Sequence, residues 1–150
     1  MAYSGRYTVK HPSKYSGDPT KVIFRSLWER QVFRWLDVHS DVVKWSSEEV
    51  VVPYRCKTDG RLHKYFVDLK VTFKEGNRTY LIEIKPKKET TAPVIKQQQK
   101  PTRKYILEVM KYAKNLSKWT AAKEYALDNS WEFQVWTEDT LRSLGIRLLT

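Results

Sequence analysis

The chain has 150 residues, 41% hydrophobic and 13% aromatic, with six Trp and five Gly, which is enough for one packed core and argues against disorder or two full-sized domains. A single cysteine excludes an internal disulfide, and no apolar run approaches the roughly 20 residues needed to cross a bilayer. The net charge of +11 is polarised: from Lys85 to Lys123 eleven Lys or Arg stand against two Glu, which places +9 there, a field that attracts polyanions such as nucleic acid.

Residues 1–18 read as an irregular lead without the continuous apolar stretch of a signal peptide, so a reducing, cytosolic compartment is expected. Asp18 followed by Pro19 has the form of an N-cap and a first-turn proline, which predicts a helix start there. Phe24, Leu27, Trp28, Val32, Trp35 and Leu36 then recur at helical spacing to about Asp37. At about 100° per residue Glu29 lies about 140° from Phe24, on the border of that apolar face, where it can reach a cleft.

The stretch EEVVVPYRC reads as a β-branched strand, with Pro53 pointing to an edge or a bulge, and KTDGR as a turn. In KYFVDLKVTF the residues Tyr65, Val67, Leu69, Val71 and Phe73 share one face, while Asp68, Lys70 and Thr72 share the other with Phe66. KEGNR turns the chain into TYLIEIK, where Tyr80, Ile82 and Ile84 face one way and Leu81, Glu83 and Lys85 the other. A two-residue loop of Glu75 and Gly76 sets Asp68 opposite Glu83, and a four-residue loop sets it opposite Lys85; in both registers the three converge. Beyond lie a helix from about Thr102 to Asn115, a second from Ser117 as N-cap to about Asp128, the strand WEFQVWT, and a short helix ended by Gly145. The predicted order is αβββααβα, an α/β fold with a mixed sheet of about four strands between helices, in one domain over 1–150.

Opposed carboxylates repel unless a cation or a proton is shared between them. Asp68, Glu83 and the backbone carbonyl of Ile84 are hard oxygen donors of the kind that suits Mg2+. Lys85 stands two residues on, where it can polarise water or stabilise charge developing on phosphorus. Spacing alone also fits a structural ion-pair network on a solvated sheet face. The three histidines, His11, His39 and His63, are scattered and are set aside as a metal site or general base. Gln97, Gln98 and Gln99 read as a polar loop, and Trp119 and Trp131 as core rather than as platforms for bases. The lysines of the basic stretch also fit solvated helix faces; a membrane role is disfavoured because no strongly amphipathic terminus accompanies them.

Asp68, then Glu83-Ile84-Lys85 after a hairpin, with Glu29 on a preceding helix, resembles the PD-(D/E)XK nuclease superfamily. FRSLWERQVFRWLD, YFVDLKV, YLIEIKPKKE and KWTAAKEYALDNSWEFQVWTEDTLRSLG resemble more narrowly the TnsA-type endonucleases, and overall length and sequence are more similar still to phage head-completion nucleases. The resemblance runs from about Phe24 to Gly145. It implies a restriction-endonuclease-like three-layer core and Mg2+-dependent cleavage of DNA, with Mn2+ able to substitute. Glu29 would be an accessory acid at the metal, Asp68 and Glu83 metal ligands with the Ile84 carbonyl, and Lys85 the catalytic lysine. Val67 stands where the superfamily's name has proline, and some TnsA-type enzymes carry Gln at the place of Glu83. Lys87, Lys88, Lys96, Lys100, Arg103 and Lys104 are the expected contacts to the DNA backbone. The implied role is to trim the packaged genome end before a tail joins, in the host cytoplasm or at the head-neck region of the virion, beside portal or neck proteins. A catalytically silent head-neck protein that only grips DNA is the alternative.

Overall fold

The computed structural model describes residues 3–94 and 100–149 and begins with two short strands, β1 (Gly5–Arg6) and β2 (Ile23–Phe24), paired antiparallel. They are followed by α1 (Leu27–Val38), β3 (Val42–Ser47), β4 (Val51–Arg55), β5 (Leu62–Phe66), β6 (Leu69–Phe73) and β7 (Arg78–Ile84). Then come α2 (Arg103–Asp128), β8 (Glu132–Trp136) and α3 (Glu138–Ser143). One mixed sheet holds β3, β6, β7 and β8 side by side in that order, with β7 and β8 parallel and the other pairs antiparallel. β4 and β5 form a separate hairpin. A four-stranded mixed sheet between helices is the arrangement expected of a restriction-endonuclease-like core.

Alternation along the central strands supplies both faces of this sheet. Leu69, Val71 and Ile82 pack with Val32, Phe33 and Leu36 of α1 around Trp45, which is fully buried against Phe33, Tyr7 and Tyr15. Leu81 turns the other way, to Ala122 and Ala126 of α2 and to Val52, Tyr54 and Tyr65 of the hairpin. Alanines four residues apart share one side of a helix, and their small size lets α2 lie close against the sheet. Glu83, two residues after Leu81, therefore points to the α2 side.

The structure departs from these expectations in five places. Asp18 does cap a turn, its carboxylate accepting the Thr20 N–H at 2.9 Å, but only the single 3-10 turn Pro19–Lys21. Val22, 1% exposed, then enters the core in extended backbone, so α1 waits for Ser26, whose hydroxyl accepts the Glu29 N–H. The lead is not irregular throughout: it contributes β1 and a turn at Pro12–Lys14, and buries Tyr7, Val9 and Tyr15. β3 was not expected. A register shift between Val42 and Lys44 leaves Val43 and Lys44 both exposed, and Trp45, Ser46 and Ser47 are buried in succession, so no alternation marks the strand. The strand read as KYFVDLKVTF is two strands in different sheets, β5 and β6, separated at Val67 and Asp68.

The two helices expected after Thr102 are one. Thr102 does cap it, accepting the Tyr105 N–H at 3.1 Å. Ser117 is a buried interior residue whose hydroxyl donates to the Ala113 carbonyl one turn back and accepts the Lys57 N–H from the β4–β5 loop. A serine that bonds backward along its own helix leaves no break there.

Asp37 ties the lead to α1. Fully buried, it accepts the Tyr7 hydroxyl at 2.8 Å and the amides of Lys10 and His11 at 2.7 and 3.0 Å. Asp37→Ala strands those three donors, and urea denaturation is expected to show a loss of about 3 kcal/mol; a loss below about 1 kcal/mol would show that the lead is held by apolar packing alone.

Candidate active site

The break between β5 and β6 is what delivers Asp68. Val67 donates its N–H to the Val50 carbonyl at 3.0 Å, and Glu48 donates its own to the Asp68 carbonyl at 3.2 Å, so the backbone here leaves one sheet and enters the other under hydrogen-bond control. β6 pairs with β7 from Phe73 against Arg78 to Leu69 against Ile82. The next step in that register sets Asp68 against Glu83, the outcome expected of the shorter loop. An Asp68 carboxylate oxygen, Oδ2, accepts the Ile84 N–H at 2.8 Å.

Glu83 is buried on the α2 side. Its Oε2 accepts the Trp119 indole N–H at 3.2 Å and also the Tyr65 hydroxyl, so a helix and the separate hairpin jointly fix the rotamer of a strand residue. Glu29 stands in the first turn of α1, where Oε2 accepts the Arg25 N–H at 3.2 Å and the Ser26 hydroxyl at 3.4 Å. Lys85 follows β7 and donates its backbone N–H to the Trp136 carbonyl of β8 at 3.0 Å. Glu29, Asp68, Glu83, Ile84 and Lys85 together line one cleft of about 690 Å³, with Lys111 also at its wall.

The electrostatics of this cleft are unbalanced. Burial, followed by the charge of Glu83, pushes the Asp68 carboxyl well above the usual carboxylate range. Burial likewise raises Glu29 to about 7, partly countered by the amide of Arg25. Among the described residues neither Asp68 nor Glu83 forms a salt bridge. The donors already present occupy Oδ2 of Asp68 and Oε2 of Glu83, and the second oxygen of each carboxylate accepts no N–H or O–H donor among the described residues. This donor set fits a divalent cation. Among the described residues the oxygens of Glu29, Asp68 and Glu83 do not form a set lying within 4.8 Å of one another.

Tyr65 and Trp119 are the site residues that sequence reading passed over, because nothing in the local pattern distinguishes an aromatic that ends on a carboxylate from one that fills a core. Three more charges belong here. Arg25 forms a two-pronged ion pair with Glu48 at 2.8 and 3.0 Å, and Glu48 holds a left-handed backbone, φ 55°, where it donates to the Asp68 carbonyl. Lys118 lies 5.4 Å from the centre of the Tyr65 ring, with burial lowering its ammonium pKa against the pull of Glu83. Of the expected DNA contacts, Lys88, Lys100, Arg103 and Lys104 are exposed. Lys87 is also exposed but is paired with Asp139 at 3.0 Å. Lys96 and Gln97 to Gln99 lie outside the described residues. Trp131 sits partly buried at the second core, with the Lys70 ammonium 4.3 Å over its ring.

Residues 39–138 match the family described as TnsA-like endonuclease N terminal. The chain is also 41% identical over 154 aligned positions, spanning 98% of its own length and 99% of the relative's, to a protein of Enterobacteria phage T4 named head completion nuclease. The family match begins after α1 and so leaves out Glu29, whereas the phage relative spans it. No solved structure matches.

Two outcomes follow from this geometry. Trp119→Phe keeps the ring and removes the N–H that fixes Glu83; with the fold intact by circular dichroism, catalysis or divalent-metal affinity is expected to fall about 10- to 100-fold, as for other outer partners of metal ligands. Unchanged activity and metal affinity would show that Tyr65 alone positions Glu83. The second outcome concerns pH in the presence of a chelator. A carboxyl whose pKa is raised on folding stabilises the protein below its unfolded value and loses that contribution as pH rises through its folded value. For Glu29 the window runs from about 4.5 to about 7, worth on the order of 3 kcal/mol. Thermal stability of the wild type should therefore fall from pH 5 to pH 8, and Glu29→Gln should flatten that fall; equal slopes would show that Glu29 is not perturbed.

Proposed function

Because the chain belongs to the TnsA-like endonucleases, we propose that the cleft between α1 and the β6–β7 end hydrolyses DNA phosphodiester bonds with a divalent cation, and that the step it serves is completion of a phage head. The observation that carries the reading is the Asp68–Glu83 pair, a half-buried and a buried carboxylate held one against the other with no cationic side chain paired to either among the described residues. Mg2+, with Mn2+ as a substitute, is the cation that such hard oxygens and a phosphate substrate favour. Asp68, Glu83 and the Ile84 carbonyl would hold it, with Glu29 assisting from α1. When bound, the cation supplies Lewis acidity and charge neutralisation at the scissile phosphate.

The chain's own groups do the rest. Tyr65 and Trp119 keep Glu83 in one rotamer, and the Ile84 amide does the same for Asp68. The Lys85 ammonium orients the attacking water and stabilises the charge that develops on the phosphate oxygens. Lys88, Lys100, Arg103 and Lys104, joined by Lys111 at the cleft wall, follow the DNA backbone, and Lys87 contributes when it leaves Asp139. Such contacts carry affinity without sequence information, which suits an end created when a head is full. The chain acts as one nuclease domain over 1–150, in the host cytoplasm and at the head-neck region, where portal or neck proteins are its neighbours. No helix among the described residues is long and apolar enough to cross a membrane.

A plasmid-nicking assay tests the site. Asp68→Ala and Glu83→Ala should each abolish cleavage, and nicking at the wild-type rate by either folded variant would remove the pair from the reaction. Lys85→Ala should lose rate yet still bind the cation in calorimetry; loss of cation binding would make it a structural partner of the ligands. Affinity for two unrelated duplexes should agree and fall with salt, with a slope of about −0.9 per neutralised phosphate. A salt-independent affinity would return these lysines to the role of solvated helix face.

A further inference from the structure

The β4–β5 hairpin carries a second set of metal-ligating side chains that the nuclease reading leaves unused. Cys56 follows β4, Asp59 lies in the connecting loop and His63 is in β5. The Cys56 Sγ, one Asp59 carboxylate oxygen and one His63 ring nitrogen all lie within 4.8 Å of one another. In sequence His63 stands apart from the other histidines, but pairing of Tyr54 against His63 and Arg55 against Leu62 folds the loop back so that Cys56 and His63 meet across its base.

Each of the three is already held in place. The Cys56 N–H donates to the Arg61 carbonyl at 2.9 Å and the Gly60 N–H to the Cys56 carbonyl at 2.7 Å. Gly60 has φ +69°, a left-handed conformation that glycine adopts without the penalty a side chain brings. The Thr58 hydroxyl lies 3.0 Å from the Cys56 sulfur, and this hydrogen bond lowers the thiol pKa. Asp59 accepts the Arg61 N–H on Oδ1 at 2.8 Å, which turns Oδ2 to His63 Nε2 at 2.7 Å. The His63 ring stacks on Tyr54, 5.5 Å between centres.

We propose that this hairpin binds one zinc-class divalent cation through the Cys56 sulfur, the Asp59 carboxylate and the His63 Nε2, with water as the fourth ligand. A mixed sulfur, nitrogen and oxygen set prefers Zn2+ and Co2+ to Mg2+, the reverse of the all-oxygen cleft. The cation replaces the Nε2 proton that joins His63 to Asp59; that proton passes to solvent, and the bound imidazole is neutral with its one remaining proton on Nδ1. The Cys56 thiol releases its proton to solvent, so that thiolate and carboxylate together offset the 2+ charge. The effect is structural. Tyr65, the residue that donates to Glu83, is two residues beyond His63 on the same strand, so a clip at the hairpin steadies the strand that supplies it.

The test is a Co2+ titration of the reduced, metal-free wild type in the presence of excess Mg2+. The chain has one cysteine, so a thiolate-to-cobalt charge-transfer band reports on Cys56 alone. One equivalent should saturate the band, and Zn2+ should abolish it. Cys56→Ser should abolish it as well, while His63→Ala weakens Co2+ binding by about 100-fold or more, beyond what loss of an outer partner produces. Zn2+ should raise the Tm of the wild type and not of His63→Ala, whose position is only half-buried and tolerates alanine, and that variant should still cleave DNA with Mg2+. Absence of the band would overturn the proposal. So would a band of full affinity in His63→Ala, which would mark a lone thiol, or an equal rise in Tm in both proteins.

Discussion

Two carboxylates held side by side, Glu83 buried and Asp68 half-buried, are an unfavourable arrangement, and much of this structure is organised around tolerating it. Asp68 and Glu83 repel each other in a place where water does little to screen them. Three donors from three different elements offset part of that: the Ile84 amide of β7, the Tyr65 hydroxyl of β5 and the Trp119 indole of α2. Each satisfies one oxygen and leaves its neighbour oriented but unpaired. An imbalance of this kind favours a cation over a closed polar network, since a fully satisfied pair has no use for a metal.

That imbalance is local, whereas the surface around it has the opposite sign. In the function proposed above, the basic stretch from Lys85 into α2 would draw a polyanion toward a cleft whose own acids repel it, and a divalent cation held by those acids would offset the repulsion. Arg25 and Glu48 lie at this boundary, and their ion pair joins the start of α1 to the end of β3, next to the backbone of Asp68. Non-glycine residues with a left-handed backbone, as at Glu48, are tolerated where surrounding contacts over-determine the conformation.

The two hydrophobic clusters supply the stability that this site consumes. One lies between α1 and the sheet around Trp45, the other under α2 and the hairpin around Leu81. Glu83 belongs to the side of the second cluster, and for that reason its partners come from α2 and β5 rather than from α1. Glu29, on the other helix, approaches the same cleft from the first cluster.

By itself the sequence determined the parts that rest on short-range periodicity. Alternation in LKVTF and TYLIEIK placed Asp68, Glu83 and Lys85 at one end of a hairpin, and the helical stripe from Leu27 to Leu36 placed Glu29 near its border; both are properties of residues two to four apart. Tertiary structure decided the rest. The bulge that hides β3, the departure of the chain from one sheet to another at Val67 and Asp68, and the continuity of α2 through Ser117 all depend on partners distant in sequence. Tyr65 and Trp119 meet Glu83 across 18 and 36 positions, and Cys56 meets His63 only once the hairpin closes. Contacts at that separation leave no period in a sequence, because nothing local distinguishes the side chain that will reach a carboxylate from one that will fill a core.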